Sequence, residues 1–334
     1  MTLQYVSSPA AVSRETGGEL GGARLGQAQA VVAPGWPVQG IFAPLLGCTA
    51  AVLHETWLCA GPVVAGVSEE VNWRRAGDVL FGVIEVEEAR FAGVSGKTAL
   101  QAASEEAYDR IFRLLDAQGL PQLWRVWNYL AAINEESDGL ERYRQFNIGR
   151  QDAFLAYHRG TTGNVPAACA LGVFGGPVSI AFMAGKTPAV PVENPRQVSA
   201  YNYPSEYGPR SPTFSRAALV YPPGQEILFI SGTASIVGHR TVHLGDVAAQ
   251  TTEAMANIAA VVGEANRAAR GPAYALSELS YRIYIRHAGD FAAVRAALAS
   301  LIGAAEAVYV QADICRADLL VEIEAMASQS LGSC

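Results

Sequence analysis

The chain has 334 residues and a formal net charge of −7, with half of its residues hydrophobic and 16% charged. This composition is typical of a well-packed protein with more than one domain, and it excludes wholesale disorder. No run of basic residues is present, so nucleic acid is not an expected partner. The five cysteines are scattered without a CxxC pair, which favours reduced thiols in the cytoplasm over a disulfide framework or a zinc site.

The chain divides into three expected parts. Residues 1–40 are rich in Gly, Ala and Val with weak periodicity, and we expect an N-terminal arm that packs on the body. A first module is expected over 41–190 and a second over 191–334. The proline-rich stretch 188–195 between them favours an extended linker, because each proline restricts itself and the residue before it.

The first module reads as helix, strand, helix and a pair of strands. Apolar residues recur at helical spacing before Gly119, a typical helix C-cap. A strand follows over 123–130, and a second helix begins near Gly139. The uncharged stretch 165–184 is long enough for a membrane span, but Gly175, Gly176 and Pro177 interrupt it, so two strands and no membrane contact are expected.

The second module repeats this order. One helical face is expected from Ala248, Thr252, Met255, Ile258 and Val262, followed by a strand over 281–286, a helix from Phe291 and a closing strand from Leu319. The repeat predicts an α+β protein with two similar modules in tandem, each a mixed sheet packed against two helices. The cleft between such modules is the default place for a ligand.

The closing strand carries two acids on one face. Alternation puts Leu319, Val321 and Ile323 on an apolar face, and so Glu322 and Glu324 point the other way. The pair is either a solvated strand edge or part of the cleft. In a partly apolar cleft a carboxyl group of raised pKa is able to donate a proton.

Arginine and tyrosine side chains supply candidate ligands for an acidic substrate. Tyr207, Arg210 and Arg216 lie in an irregular, proline-containing loop. On the strand over 281–286, Arg282, Tyr284 and Arg286 point away from the helices, towards either the cleft or solvent. Arg150, with Asn147 near it, lies on the first module's second helix, where a binding role and a salt bridge are both compatible with the sequence.

Other motifs in the sequence lack a residue that their function requires. Gly96-Lys97-Thr98 and Gly185-Lys186-Thr187 lack the preceding glycine of a phosphate-binding loop. His239 and His243 have metal-ligand spacing but no third ligand is evident. No metal or organic cofactor is expected.

Several segments together resemble a known family. The segments GPRSPTFSRA (208–217), FISGTAS (229–235), GDVAAQTTEAMANI (245–258) and VEIEAMA (321–327) resemble the motifs of the RidA-like fold, named for reactive-intermediate deaminases. Together with RYRQFNIGR (142–150) and CRADLLVEIEA (315–325), they resemble the chorismatases, over roughly residues 40–328.

This resemblance implies a reaction and roles for residues. The family splits chorismate into pyruvate and a cyclic acid, and its acid, which protonates the enolpyruvyl methylene carbon, corresponds to Glu322. Glu324 would be a neighbouring structural carboxylate. Cys315, paired with Gly232 beside Thr233 in the SGT strand, marks the subtype that forms 3-hydroxybenzoate. There, Gly232 is expected to leave room beside the substrate ring.

Three alternatives stay open at this point. Within the family, hydrolysis would give 3,4-dihydroxycyclohexa-1,5-dienoate and pyruvate instead. A RidA-like imine or enamine deaminase is disfavoured because Ile314 occupies the place of that family's carboxylate-binding arginine. A non-catalytic metabolite-binding protein is the third. We expect a monomer or a small homo-oligomer.

Overall fold

The computed structural model describes residues 2–10, 18–27 and 35–332, and Cys334 lies outside them. Within these ranges the helices are α1 (Ala99–Gln118), α2 (Arg142–Ala156), α3 (Val247–Ala268) and α4 (Phe291–Ile302). The strands are β1 (Leu3–Ser8), β2 (Glu19–Gly26), β3 (Val38–Ile41), β4 (Leu45–Leu46), β5 (Val52–Cys59), β6 (Val64–Ser68), β7 (Val71–Ala76), β8 (Val79–Val86), β9 (Gln122–Ala131), β10 (Glu136–Ser137), β11 (Leu140–Glu141), β12 (Ala167–Val173), β13 (Val178–Gly185), β14 (Val190–Val192), β15 (Ala217–Val220), β16 (Gln225–Ala234), β17 (Ile236–Val237), β18 (Arg240–Thr241), β19 (Ser280–Ile285), β20 (Ala307–Gln311) and β21 (Val321–Ser330).

The first large sheet has six strands in the order β12-β9-β13-β8-β7-β6. Strands β12 and β9 are parallel, and the other neighbours are antiparallel. Helices α1 and α2 cover one face and share an apolar core with it. The side chain of Thr98 caps the N-terminus of α1, and Gly119, with φ of 65°, ends the helix as predicted.

The second large sheet repeats this plan, in the order β14-β15-β16-β21-β19-β20-β4. Its parallel pair, β19 and β20, follows α3 and flanks α4, as β9 and β12 follow α1 and flank α2. Without β4, the two sheets match strand for strand in order. The predicted α+β class with two RidA-like modules is therefore confirmed.

A third, four-stranded sheet has the order β1-β5-β2-β3. Strand β3 crosses the expected boundary between the arm and the first module, and β5 lies entirely beyond that boundary. The three sheets pack their remaining faces against one another around a common apolar core. The division of the chain at 40/41 and 190/191 stays a prediction.

The uncharged stretch 165–184 forms β12, a turn at 174–177 and β13, as predicted. Both strands are buried throughout. Among the described residues, no helix is both long enough and apolar enough to cross a membrane.

Candidate active site

A cavity of about 300 Å³ opens between the two modules and contains the predicted acid. This volume is at the lower end of the range for small-molecule sites in proteins. The first module contributes residues of β11 and α2, and the second contributes residues of β16, β17 and β21 and of the segments before β15 and β21. The lining residues are Glu141, Tyr143, Arg144, Tyr203, Tyr207, Pro212, Phe214, Arg216, Gly232, Ala234, Ile236, Cys315, Arg316, Ala317, Asp318 and Glu322.

Glu322 projects from the middle of a sheet and not from a solvated edge. Strand β21 lies between β16 and β19, where Glu322 is opposite Ala234 on one side and Tyr284 on the other. The side chain is 4% exposed, and Sγ of Cys315 lies 3.9 Å from its Oε2. Burial and, secondarily, the negative charge of Glu324 raise the pKa of Glu322 to about 8. At neutral pH Glu322 is therefore a carboxylic acid that faces the cavity.

Glu324 has a different environment on the same strand face. Its carboxylate pairs with Arg125, lies 2.9 Å from Nη1 of Arg282, and accepts a hydrogen bond of 3.2 Å from Tyr284. These partners lie behind the cavity, where the three sheets meet. Glu324 is thus a bound anion, whereas Glu322 is free to meet a ligand.

Gly232 makes room for the acid itself. A methyl group at this position would overlap Oε1 of Glu322 and lie 2.7 Å from its Cδ. The expectation that Gly232 leaves space beside the substrate ring therefore needs a correction, because the carboxyl group of Glu322 occupies that space.

Arg216 and two aromatic side chains form one wall of the cavity. The Arg216 guanidinium donates to the Val198 carbonyl and to the Tyr203 hydroxyl, each at 2.8 Å. It also lies 5.3 Å from the ring centre of Phe214. Its buried Nε has no hydrogen-bond partner among the described residues. Arg216 thus places a guanidinium group in the cavity wall, where a cation suits an anionic ligand.

Arg316 is a second cation in the cavity, and the sequence analysis missed it. Its guanidinium carbon lies 4.0 Å from the ring centre of Tyr207, and Nη1 donates to the His239 carbonyl at 2.9 Å. Its buried Nη2 has no hydrogen-bond partner in the described part of the chain. The available signal was its place directly after Cys315, in the loop that precedes β21.

Five predicted site residues lie outside the cavity lining. Arg210 is half exposed and pairs with Asp152 at 3.6 Å. The Thr233 hydroxyl donates to the Ser231 carbonyl within a buried stretch, next to a register shift in β16. Arg150 is buried in the first module, where it donates to Asn147 at 2.7 Å.

The other two, Arg282 and Tyr284, do point away from the helices, as predicted. However, the third sheet fills the space that they face, and Arg282 pairs there with Glu55. Their position does not support direct contact with a ligand in the cavity.

Comparison with known proteins agrees with this fold. The family described as "Chorismatase FkbO/Hyg5-like, N-terminal" matches residues 55–184, and the RidA-like family described as "Endoribonuclease L-PSP" matches residues 213–329. A crystal structure of a chorismatase superposes with a TM-score of 0.86 at 32% identity and covers 98% of both chains.

Two curated relatives have informative names. A chorismatase of Streptomyces rapamycinicus is 41% identical over 83% of this chain and 86% of its own length. A 3-hydroxybenzoate synthase of Streptomyces hygroscopicus is 39% identical over 66% of this chain and 68% of its own length. Fold and site define a two-module RidA-like protein with a buried acid between the modules. The chain belongs to the chorismatase family.

Proposed function

We propose that this protein cleaves chorismate to 3-hydroxybenzoate and pyruvate, with Glu322 as the general acid. The observation that carries the proposal is a buried carboxyl group of raised pKa in the wall of a cavity that two arginines also line. Chorismate bears two carboxylates and an enol ether, which need two cationic partners and a proton donor.

The reaction begins with transfer of the Glu322 proton to the enolpyruvyl methylene carbon. The side chain becomes an oxocarbenium-like leaving group, and the neighbouring ring hydroxyl displaces it at the ring carbon. The C–O bond to the side chain breaks, pyruvate leaves, and a ring epoxide forms. The proton that the ring hydroxyl loses as the epoxide forms restores the acid form of Glu322. Opening of the epoxide, with loss of a ring proton and protonation of the oxygen, then gives the aromatic product. Products and substrate balance without net water.

Binding and orientation come from other residues of the cavity lining. Arg216 and Arg316 each place a guanidinium group in the lining for one substrate carboxylate, and Tyr203, Tyr207 and Phe214 provide ring faces. Holding both carboxylates fixes the methylene carbon relative to Glu322, which is the main advantage of an oriented site. Cys315 beside the acid agrees with the subtype that forms the aromatic product.

The test is incubation of the parent and of Glu322→Gln with chorismate, followed by chromatography of the organic acids. We expect equal amounts of 3-hydroxybenzoate and pyruvate from the parent. In Glu322→Gln, turnover should fall by about 10² or more while chorismate still binds, because the amide keeps the shape but cannot supply the proton. Near-parental turnover would remove Glu322 from the mechanism, and a diene diol without aromatic acid would contradict the subtype.

A further inference from the structure

Behind Glu322, four charged side chains form a buried cluster where the three sheets meet. Glu55 comes from β5, Arg125 from β9, Arg282 from β19 and Glu324 from β21. We name these four residues the inter-sheet charge cluster, and each is at most 8% exposed. The cavity beside it has a volume of only about 40 Å³, too small for a substrate, so the cluster is not a second substrate site.

The cluster contains two positive and two negative side chains, so its charges balance. Arg282 contacts both carboxylate oxygens of Glu55 and lies 2.9 Å from Oε1 of Glu324, while Arg125 pairs with Oε2 of Glu324. Two guanidinium groups therefore face two carboxylates. Nη1 of Arg125 has no hydrogen-bond partner among the described residues, but the charge of Arg125 is already matched by Glu324. A further carboxylate beside this cluster would therefore exceed the positive charge available, and such a buried charge is costly.

Glu322 is that further carboxyl group. It lies two residues from Glu324 on the same strand face, about 6.5–7 Å away along the strand. Titratable or charged groups also face it from the elements packed around it, and these are Tyr284 on β19, Arg125 on β9, Cys169 on β12, Tyr143 on α2, Arg216 before β15 and Cys315 before β21. Of the two cations in this set, Arg125 is bound to Glu324, and Arg216 is engaged by Val198 and Tyr203.

We propose that the two arginines of the inter-sheet charge cluster keep Glu324 negatively charged, and that this fixed charge keeps Glu322 protonated. This inference rests on the proposed function, in which Glu322 is the acid. A fixed negative charge on the same strand face makes ionisation of Glu322 unfavourable, so Glu324 is a positioning residue that acts through Glu322. Arg125 belongs to the first large sheet. The first module therefore influences the protonation of Glu322, which lies in the second module.

The test compares pH profiles of kcat for chorismate. Glu324→Gln removes the negative charge and leaves Arg125 without its carboxylate, so that Arg125 favours ionised Glu322. We expect the alkaline limb of the profile to move to lower pH by at least about one unit. Turnover near pH 8 should then fall about fivefold or more, while turnover near pH 6 stays within about threefold of the parent.

Three further variants separate charge from packing. Glu324→Asp keeps the negative charge. The alkaline limb of its pH profile should therefore lie closer to that of the parent than the limb of Glu324→Gln does. The double variant with Arg125→Gln and Glu324→Gln removes the pair together, and its limb should lie between those of the parent and Glu324→Gln. Glu226→Gln is the matched control, since Glu226 is a buried carboxylate on β16 bound to Tyr274 and Gln329, and its profile should equal the parent's.

Infrared spectroscopy gives a readout that needs no substrate. Comparing the parent with Glu322→Gln at pH 7 should show the carbonyl band of one protonated carboxyl group. In Glu324→Gln this band should be clearly weaker at pH 7 than in the parent and regain its intensity on acidification. If Glu324→Gln does not fold, the double variant is compared with the parent in the same way. Its carboxyl band should then titrate at a pH between the values expected for the parent and for Glu324→Gln.

Two results would overturn the proposal. One is an unchanged limb and an unchanged carboxyl band in Glu324→Gln. The other is a loss of turnover that is equal at every pH, since that is the signature of a merely structural role. Absence of chorismate turnover in the parent would instead refute the proposed function and leave the infrared titration as the test of this inference.

Discussion

Glu322 and Glu324 are two residues apart on one strand, yet their surroundings give them opposite roles. Glu324 is bound by Arg125 and Arg282, whereas Glu322 faces the cavity beside the thiol of Cys315. Two carboxyl groups whose environments separate their proton affinities are a common arrangement in acid catalysis. The strand places the groups, and the residues around them decide which one is the acid.

The two cavity arginines predict a specific kinetic effect. Arg216→Ala and Arg316→Ala should each raise KM for chorismate by about tenfold or more, because a substrate carboxylate loses a charge-assisted hydrogen bond. Steady-state kinetics measures this directly.

The matched control for these arginines is Arg210→Ala. Arg210 is 46% exposed and lies outside the cavity lining, so its KM should stay near the parent's. Parental KM values in both cavity variants, or an equal rise in Arg210→Ala, would place the carboxylate partners elsewhere.

Gly232 predicts a second effect, on the acid. In Gly232→Ala the new methyl group would overlap the Glu322 carboxyl group, which must move into the cavity. We expect kcat to fall about tenfold or more, because small misplacements of a reacting group are costly, and the share of diene diol to rise as displacement becomes crowded. Turnover and product ratio by chromatography report both changes.

Gly263→Ala on α3 is the control for Gly232→Ala. A methyl group added at Gly263 meets no atom within 4 Å, so this variant should behave as the parent. Parental kcat in Gly232→Ala would show that Glu322 does not need its present position.

At the scale of elements, the loop before β21 is held by Arg286, which the sequence analysis directed towards either the cleft or solvent. Arg286 donates to the Leu319, Ile314 and Arg316 carbonyls and pairs with Asp313 at 2.7 Å. This network fixes the segment that carries Cys315 and Arg316. Arg286 thus shapes the site without lining it.

Periodicity in the sequence was sufficient to predict most elements. The alternation in 319–325 gave the two faces of β21 correctly, but it carries no information on neighbours, so a solvated edge and a central strand stayed equally open. On α3, the helical face predicted from Ala248 to Val262 is buried only in its second part, since Ala248 and Thr252 are exposed. The buried stripe runs instead through Thr251, Ala254 and Ile258, because the sheet sets which side of the helix is covered.

The site was harder to predict than the elements. Alternation correctly turned Arg282 and Tyr284 away from the helices, but the third sheet that fills this space comes from segments distant in sequence. Arg316 lies on an irregular loop, where no periodicity indicates the direction of a side chain. Residues whose role depends on packing between sheets therefore escaped the sequence analysis.

At the scale of the whole molecule, the duplication is structural but not chemical. The two large sheets share their strand order, yet β13, which occupies the position of β21 in the first sheet, carries no charged residue. The first module instead supplies Arg125 and the α2 wall of the cavity. The second module carries Glu322, and the first module contributes residues around it. The expected monomer or small homo-oligomer stays a prediction.

The buried acid predicts a pH dependence of stability. The pKa of Glu322 is raised from 4.5 to about 8, so the native state holds a proton that the unfolded chain releases between these values. The contribution of Glu322 to stability therefore falls as pH rises through this window.

Urea unfolding of the parent and of Glu322→Gln measures this contribution. The stability of Glu322→Gln relative to the parent should increase between about pH 5 and about pH 8 and then level off. A difference that is constant with pH would show that Glu322 is not protonated in the native state.

The most direct test of the central claim is the origin of the product's oxygen. Displacement by the ring hydroxyl uses no water, whereas hydrolysis adds the elements of one water molecule. The parent should be incubated with chorismate in ¹⁸O-enriched water, and the cyclic acid analysed at once by mass spectrometry. We predict 3-hydroxybenzoate without ¹⁸O in its hydroxyl group. A labelled hydroxyl group, or a diene diol in place of the aromatic acid, whether labelled or not, would contradict the intramolecular route.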